Sequence, residues 1–312
     1  MLKLKDLFEE AIKKRSSLIN NPNEEVYRLF NQRADGVDGL TLDFYKEYIL
    51  LQDFGCGEGF FHSDEFHTAL NFIDDYFRPT GILLKNRKKS TDDFSSTVLK
   101  GSLPPGDIVV RHNGISALAD IVNSQNTGVF ADMRNVRSAM LPYYEAGGTI
   151  LNLFCYTGLF SVHALMNGGF SAINVDVSKS VLTRARENYV LNGLKVNDRD
   201  FIREDSKSAI KYLAKKNRVF DIVIFDPPTF SRSKASSFSV DTDYSDYLEK
   251  INLLITNGYC LSAINTAAVD RQSYMGKHPS HWKNIFLQNE PEDYPSADSS
   301  YLKVGLWKVD NR

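Results

Sequence analysis

The sequence predicts an α/β fold: a seven-stranded, mostly parallel sheet with helices on both faces, preceded by a smaller α+β domain. Three observations carry that expectation. An apolar run from Thr149 to Cys155 is followed by Tyr156-Thr157-Gly158 and then by a helical pattern with Phe160, Leu165 and Met166 apolar, which is strand, tight turn and helix in succession. Strand-like and helix-like patterns then alternate to about Leu261, as in a parallel sheet covered on both sides. The first 117 residues differ, with short aromatic and β-branched runs separated by turn clusters.

Residues 1–117 are expected to form one domain. Leu4, Leu7, Phe8, Ala11 and Ile12 lay an apolar stripe along a helix over 4–19, and Glu9 and Glu10 sit four before Lys13 and Lys14. The trio Lys13-Lys14-Arg15 is expected on its solvated face. Val26–Phe30 reads as a short strand, and residues 34–39, Ala-Asp-Gly-Val-Asp-Gly, as a turn cluster. Leu40 to Phe54 holds two strands joined near Lys46-Glu47. Ser63 caps a helix to Phe77 whose face carries Phe66, Leu70, Ile73 and Phe77, stopped by Pro79 and Gly81. Ile82–Lys85 is the next strand. It runs into Lys85-Asn86-Arg87-Lys88-Lys89, four basic residues in five, and then a polar loop to Pro105. In a chain of net charge −2 such a run is either a solvated loop or the place where phosphates are met.

Residues 118–312 make the second expected domain. The stretch from Gln125 to Arg134 reads either as a loop opening a helix from Asp132 to Tyr144 or as a clamp over a ligand. In the second reading Arg134 holds a carboxylate and Asp132 orients it. The strands are expected at Thr149–Cys155, Ser171–Asp176, Asp200–Glu204, Val219–Phe225 and Tyr259–Ile264. A helix from Ser178 to Asn192 has Ser178 as N-cap and Gly193 past its end. Lys283–Gln288 and Tyr301–Val309 would close the sheet as an antiparallel pair.

Ligands of open α/β sheets bind beyond the carboxyl ends of the strands. Here those ends carry Tyr156-Thr157-Gly158, Asp176, Asp205 and Asp226-Pro227-Pro228-Thr229. The turn has one glycine, not G-x-G-x-x-G, so a pyrophosphate lacks its close backbone approach. An adenosine ligand without phosphates fits better, S-adenosylmethionine above all. Asp176, 18 residues past Gly158 (176 − 158), suits a ribose hydroxyl pair. Asp205 suits the adenine amino group, and Asp226-Pro227 the point of methyl transfer. Phe154, Tyr156, Thr157, Gly158, Val177, Ser178 and Ser206 complete the expected cofactor contacts, with Arg134 and Asp132 on the methionine carboxylate. Each aspartate taken alone would serve equally as a helix N-cap.

Three cysteines, Cys56, Cys155 and Cys260, form no C-x-x-C pair and suit a reducing compartment. No apolar run reaches membrane-spanning length and no signal-peptide pattern opens the chain. A cytoplasmic protein, monomer or homodimer, is expected, with neither membrane nor metal as partner. The small net charge supplies no global field for nucleic acid, so an RNA surface would be local.

Four segments carry a resemblance: Phe154-Cys-Tyr-Thr-Gly158, Thr127-Gly-Val-Phe-Ala-Asp-Met-Arg134, Asn188-Tyr-Val-Leu-Asn-Gly-Leu194 and Asp226-Pro-Pro-Thr-Phe-Ser-Arg-Ser-Lys234. Together, over about residues 24–308, they resemble the S-adenosylmethionine-dependent large-subunit ribosomal RNA methyltransferases of class I, which have a Rossmann-like fold. Two branches are similar: pyrimidine C5 methyltransferases and the guanine N7 half of a bifunctional enzyme. The last segment, with Phe238, Val240, Asp243 and Asn265, is most similar to the N7 branch. The chain is expected to lack the PUA domain usual in the first branch and the second methyltransferase fused in the other. The resemblance implies ribosomal RNA as partner. In that setting Lys85, Arg87, Lys88, Lys89, Arg232 and Lys234 would meet phosphates, and Phe230 would stack on a flipped base or else pack as a core aromatic. C5 methylation needs a cysteine thiolate, and the position past the fifth strand reads Ile264-Asn265-Thr266. Guanine N7 has a free lone pair and needs only positioning, for which Asp226, the Pro227 carbonyl and Asn265 are the candidates.

Overall fold

The computed structural model describes residues 2–87, 95–144, 148–168, 171–232 and 237–311. The chain forms two compact units. The first comprises Met1–Arg134 and takes back Pro291–Ala297 from late in the sequence. The second comprises Asn135–Glu290 and Asp298–Arg312.

In the first unit, the expected helix over 4–19 is broken into α1 (Leu4–Lys14) and α2 (Ser16–Ile19). The break is at Arg15, which is buried and not solvated as its basic neighbours suggest. Its guanidinium bridges the Ala11 carbonyl at 3.0 Å and the Asp35 carboxylate at 2.6 Å. Strands β1 (Val26–Asn31), β2 (Leu40–Tyr45) and β3 (Tyr48–Asp53) form an antiparallel meander, with Lys46 at φ 59° in the tight turn between the last two. Helix α3 (Asp64–Phe77) follows, the Ser63 hydroxyl accepting from the Phe66 amide at 3.1 Å. It returns the chain so that β4 (Gly81–Asn86) lies parallel to β3. The segment expected as polar loop contains β5 (Thr97–Gly101), which pairs antiparallel with β4. A separate hairpin, β6 (Ile108–His112) and β7 (Ile115–Ala119), lies where the sequence pattern marks no element. The core lies between this sheet and the apolar faces of α1 and α3, with Phe8, Phe30, Phe66 and Ile73 buried.

The boundary falls after Arg134, not after residue 117, because the intervening stretch is tied into the first unit. The Asn113 amide donates to the Arg134 carbonyl at 3.1 Å, and the Tyr45 and Thr127 hydroxyls share a 2.9 Å hydrogen bond. The returning segment is held the same way. The Asp293 carboxylate lies on the Arg134 guanidinium and accepts from the Arg28 amide at 3.0 Å, while its carbonyl accepts from Arg15 at 3.2 Å. Next to it the Arg28 guanidinium stacks on Tyr294, 4.3 Å from the ring centre, and the Asn31 amide donates to the Pro295 carbonyl at 2.7 Å.

The boundary falls at the first residue of α4 (Arg134–Met140), a helix flanked by 3-10 turns in place of one helix from Asp132 to Tyr144. The sheet of the second unit has seven strands. In chain order these are β8 (Thr149–Leu153), β9 (Ser171–Asp176), β10 (Phe201–Arg203), β11 (Ile222–Phe225), β14 (Asn257–Asn265), β15 (Lys283–Gln288) and β16 (Leu302–Asp310), with a hairpin of β12 (Phe230–Arg232) and β13 (Ser237–Ser239) outside it. The spatial order is β10-β9-β8-β11-β14-β16-β15. The first five are mutually parallel, and β16 runs antiparallel between β14 and β15, the closing pair expected from the sequence. Parallel neighbours require crossovers, supplied by α5 (Leu159–Gly168), α6 (Lys179–Leu191), α7 (Ser206–Lys215) and α8 (Tyr244–Asn252). A short α9 (Arg271–Gly276) follows β14. The central strands are apolar on both faces, as burial between helices requires: Ile222, Val223, Ile224 and Phe225 are all buried. Because these five strands are parallel, the carboxyl ends of β8, β9, β10, β11 and β14 share one edge, and the strand order reverses beside β8, the usual place for a ligand in such a sheet.

Candidate active site

Beyond β8 the backbone turns sharply. Phe154 and Tyr156 are non-glycine residues with φ of 53° and 49°, and Gly158 has φ 74°. Two left-handed residues of that kind are strained and persist only when neighbours fix them. The Cys155 amide bonds the Val175 carbonyl at 3.0 Å, the Tyr156 amide bonds Asp176 Oδ2 at 3.1 Å, and the Asn188 side chain donates to the Thr157 carbonyl at 2.9 Å. A Cβ on Gly158 would stand 3.1 Å from the Ala185 methyl group, a tight fit, and the positive φ favours glycine whatever the space.

Asp176 ends β9 with its two oxygens divided. Oδ2 takes the Tyr156 amide and Oδ1 the Ser178 amide, the latter at 2.9 Å. Burial pushes its carboxyl above the ordinary aspartate value, although hydrogen bonds from Ser178, Tyr156 and Val177 oppose the shift. A carboxylate offers about four lone-pair positions, so the donor set suits a ribose hydroxyl pair in addition. Val177 follows with 46% of its surface exposed, an apolar side chain open to a flat ring. Ser178 caps α6. Asp205 is the N-cap of α7, accepting from the Lys207 and Ser208 amides at 3.1 and 3.2 Å, which is its helix-capping alternative realised. Ser206 is buried behind it. Phe154 packs on Phe225, Phe238 and Tyr247, 5.7–6.2 Å between centres, and so underlies the turn. The turn and its carboxylate thus fit an adenosine-type cofactor without phosphates.

The neighbouring strand ends carry the remaining candidates. Asp226 is partly buried past β11, and Pro227 is buried. The Thr229 hydroxyl donates to the Asn265 carbonyl at 2.8 Å, joining the Asp226–Thr229 loop to the end of β14, where Asn265 is exposed. Phe230, opening β12, is 55% exposed, so it is not a core aromatic. Phe238, across the hairpin opposite Ser231, fills that place and is buried. The thiols of the second unit are both enclosed. Cys155 and Cys260 are buried, and desolvation raises both above the ordinary thiol value. Cys56 belongs to the first unit. The described residues hold no cluster of His, Cys, Asp and Glu suited to a metal, and no helix long and apolar enough to cross a membrane.

Several expectations from the sequence are redirected. Lys85 is almost fully buried in β4, its ammonium donating to the Ser124 carbonyl at 2.6 Å, and burial lowers its pKa to about 8. Arg87 donates to the Gln125 carbonyl and the Asn126 side chain, 3.4 Å to the latter, and lies over the Phe54 ring. Both therefore brace the 120–127 loop of the first unit, and Lys85 is not available to phosphates. Lys88, Lys89 and Lys234 lie outside the described residues. Arg232 closes β12, paired with Ser237. Arg134 and Asp132 belong to the first unit, and the carboxylate on the Arg134 guanidinium is Asp293. The sequence pattern assigns no role to Asn188, Thr229, Lys303 or Asp293. Asn188 and Thr229 stand inside segments that the sequence singles out, while Lys303 and Asp293 carry no such sign.

Comparison with known proteins accords with this geometry. A family model described as S-adenosylmethionine-dependent methyltransferase matches residues 78–307. A Bacillus subtilis protein described as "putative ribosomal RNA large subunit methyltransferase YwbD" is 32% identical over 315 residues, 95% of this chain and 78% of that one. The ribosomal RNA large subunit methyltransferase I of Aeromonas salmonicida is 32% identical over 270 residues, 86% of this chain and 67% of that one. A solved structure described as "a putative methyltransferase complexed with SAH" superposes with a TM-score of 0.88 at 28% identity, covering 99% of this chain and 82% of that chain. A strained single-glycine turn beside a strand-end aspartate, on a sheet of this order, is accordingly no isolated likeness: the chain belongs to the S-adenosylmethionine-dependent methyltransferase family and uses that cofactor.

Proposed function

We propose that the methyl acceptor is a guanine of large-subunit ribosomal RNA and that the methylated atom is N7. What supports the atom is the chemistry of the residues at these strand ends: Asp226, an exposed Phe230 and an exposed Asn265, with both thiols of the second unit buried. The RNA class rests on the relatives' described substrate and on the need for an exposed aromatic to hold a base taken out of its stack. Bound S-adenosylmethionine supplies an electrophilic methyl group on a sulfonium. The N7 lone pair forms the new N–C bond as the C–S bond breaks with its electrons left on sulfur, and no proton leaves the base, so no general base is required. Asp226 and Asn265 orient the guanine edge, Phe230 stacks on its face, and Asp176 with the 154–158 turn fixes the other partner. Rate then comes from proximity and electrostatic orientation.

Methylation at cytosine C5 would instead require a cysteine adduct on the ring. A variant with serine at Cys56, Cys155 and Cys260 is expected to retain methyl transfer, whereas Asp226→Ala or Asn265→Ala should lower turnover about 10²-fold. The product should be 7-methylguanosine, read by borohydride–aniline cleavage and nucleoside mass spectrometry of ribosomal RNA from wild-type and deletion strains. A folded, cofactor-binding triple-serine variant without activity, or loss of 5-methylcytosine in the deletion strain, would return the reaction to the C5 branch.

Phosphate binding is expected from the part of the basic run beyond Arg87. Neutralising Lys88 and Lys89 together should flatten the plot of log RNA affinity against log salt by roughly 0.7–0.9 for each phosphate that is no longer neutralised. Lys85→Met should leave that slope alone, since its ammonium is spent on the Ser124 carbonyl. An unchanged slope in the Lys88/Lys89 variant would mean the run is solvated loop.

A further inference from the structure

The end of β14 is held from two sides by groups that the proposed chemistry does not itself use. On one side the Thr229 hydroxyl bonds the Asn265 carbonyl at 2.8 Å. On the other is Lys303, paired with Ile264 in the β14–β16 ladder and only 3% exposed. Its ammonium donates to the Thr266 carbonyl at 2.8 Å and to the Ser300 carbonyl at 2.6 Å. A lysine is seldom buried, because desolvating an ammonium is costly unless charges and acceptors compensate. The charges acting on this one are Glu290 and Asp270; Glu290 also accepts from the Ser300 hydroxyl and, at 3.3 Å, from the Leu302 amide. The sheet does not need the cation, since the β14–β16 ladder already pairs every residue from Asn257 to Asn265. What the ammonium adds lies one residue beyond the ladder, where pairing stops and the chain would otherwise fray.

We propose that Lys303 is a positioning residue for the methyl acceptor. With Thr229, it holds the consecutive carbonyls of Asn265 and Thr266 so that the Asn265 side chain stands at one fixed place beside Asp226 and Phe230. The proposal rests on the reading that Asn265 orients the base. It predicts a defect in the chemical step alone: cofactor contacts lie at the ends of β8, β9 and β10, across the sheet from Lys303.

The test is steady-state kinetics on ribosomal RNA, with calorimetry for S-adenosylmethionine. Lys303→Met keeps the length and removes the donors. It should leave cofactor affinity and KM for RNA within about twofold and lower kcat about tenfold, the usual cost of misplacing a reacting group slightly. Lys303→Arg should recover part of the loss. Thr229→Val, at an exposed position that tolerates the change, should reproduce the defect more mildly if Lys303→Met fails to fold. In an Asn265→Ala background, Lys303→Met should lower kcat by less than about twofold further, because residues acting as a unit are non-additive. A Lys303→Met variant with wild-type kcat, or one whose loss is undiminished in the Asn265→Ala background, overturns the proposal and leaves the role of Asn265 intact. An Asn265→Ala variant with wild-type kcat overturns both.

Discussion

Asp293→Ala is expected to destabilise the first unit by about 3–5 kcal/mol, as when one partner of a buried ion pair is removed. Asp293 has no exposed surface, and the Arg134 guanidinium it meets is buried with it. Burial opposes the Arg134 charge, but Asp293, helped by Glu24 and Glu292, outweighs it, so the guanidinium pKa lies above its usual value. Deleting the carboxylate removes the strongest charge favouring that cation, and with it an acceptor of the Arg28 amide. The measurement is chemical denaturation followed by a probe in the first unit. Adding Arg134→Met to Asp293→Ala should restore part of the loss, since two apolar residues leave no uncompensated charge. A single-mutant cost below about 1 kcal/mol would place this pair with ordinary surface ion pairs.

Asp176→Ala should weaken S-adenosylmethionine binding by about 2–4 kcal/mol, the range for a pair of charge-assisted hydrogen bonds together with the loosening of the turn they support. The loosening follows because Asp176 also accepts the Tyr156 amide, at a residue whose positive φ needs holding. The pH dependence separates the two roles. Burial raises the folded-state pKa of Asp176 above the usual aspartate value, so protonation on acidification begins earlier than for an exposed aspartate. Protonated, the group gives up acceptor capacity. Wild-type affinity should therefore be level at neutral pH and fall as pH drops through that raised pKa, and the Asp176→Ala protein should show no such fall. Wild-type affinity in Asp176→Ala by calorimetry would move the ribose site elsewhere.

The parallel sheet is legible in the sequence because burial on both faces leaves unbroken apolar runs such as Ile222–Phe225, each ending in a polar strand tip. The closing pair near the C-terminus is legible from its apolar-aromatic composition. The pattern misleads where a side chain's partner is remote. Lys85 looks like the first of a basic cluster, but strand alternation turns it inward, and the carbonyl that receives it lies 39 residues on. Arg15 looks like the end of a charged helix face, yet its acceptors include a carboxylate on a later turn and the backbone of residue 293. Arg134 suggests a ligand clamp oriented by the nearby Asp132; the carboxylate on its guanidinium is 159 positions away. Periodicity reports which face is buried, and it carries no information on which distant charge meets a buried one. The Thr229 and Lys303 contacts at the end of β14 are hidden for the same reason.

The return of Pro291–Ala297 to the first unit fixes a timetable for synthesis. Residues 1–134 emerge from the ribosome early and contain their own sheet and helices, but the acid that neutralises Arg134 and the segment that receives Arg15, Arg28 and Asn31 are translated only after nearly all of the second unit. The portion of the protein made first is therefore completed only about fifteen residues before the chain ends. Until those seven residues are made, Arg134 lacks its carboxylate partner, while Arg15 and Arg28 already have Asp35 and Asp43. Cutting the gene at the visible boundary would make that unfinished state permanent.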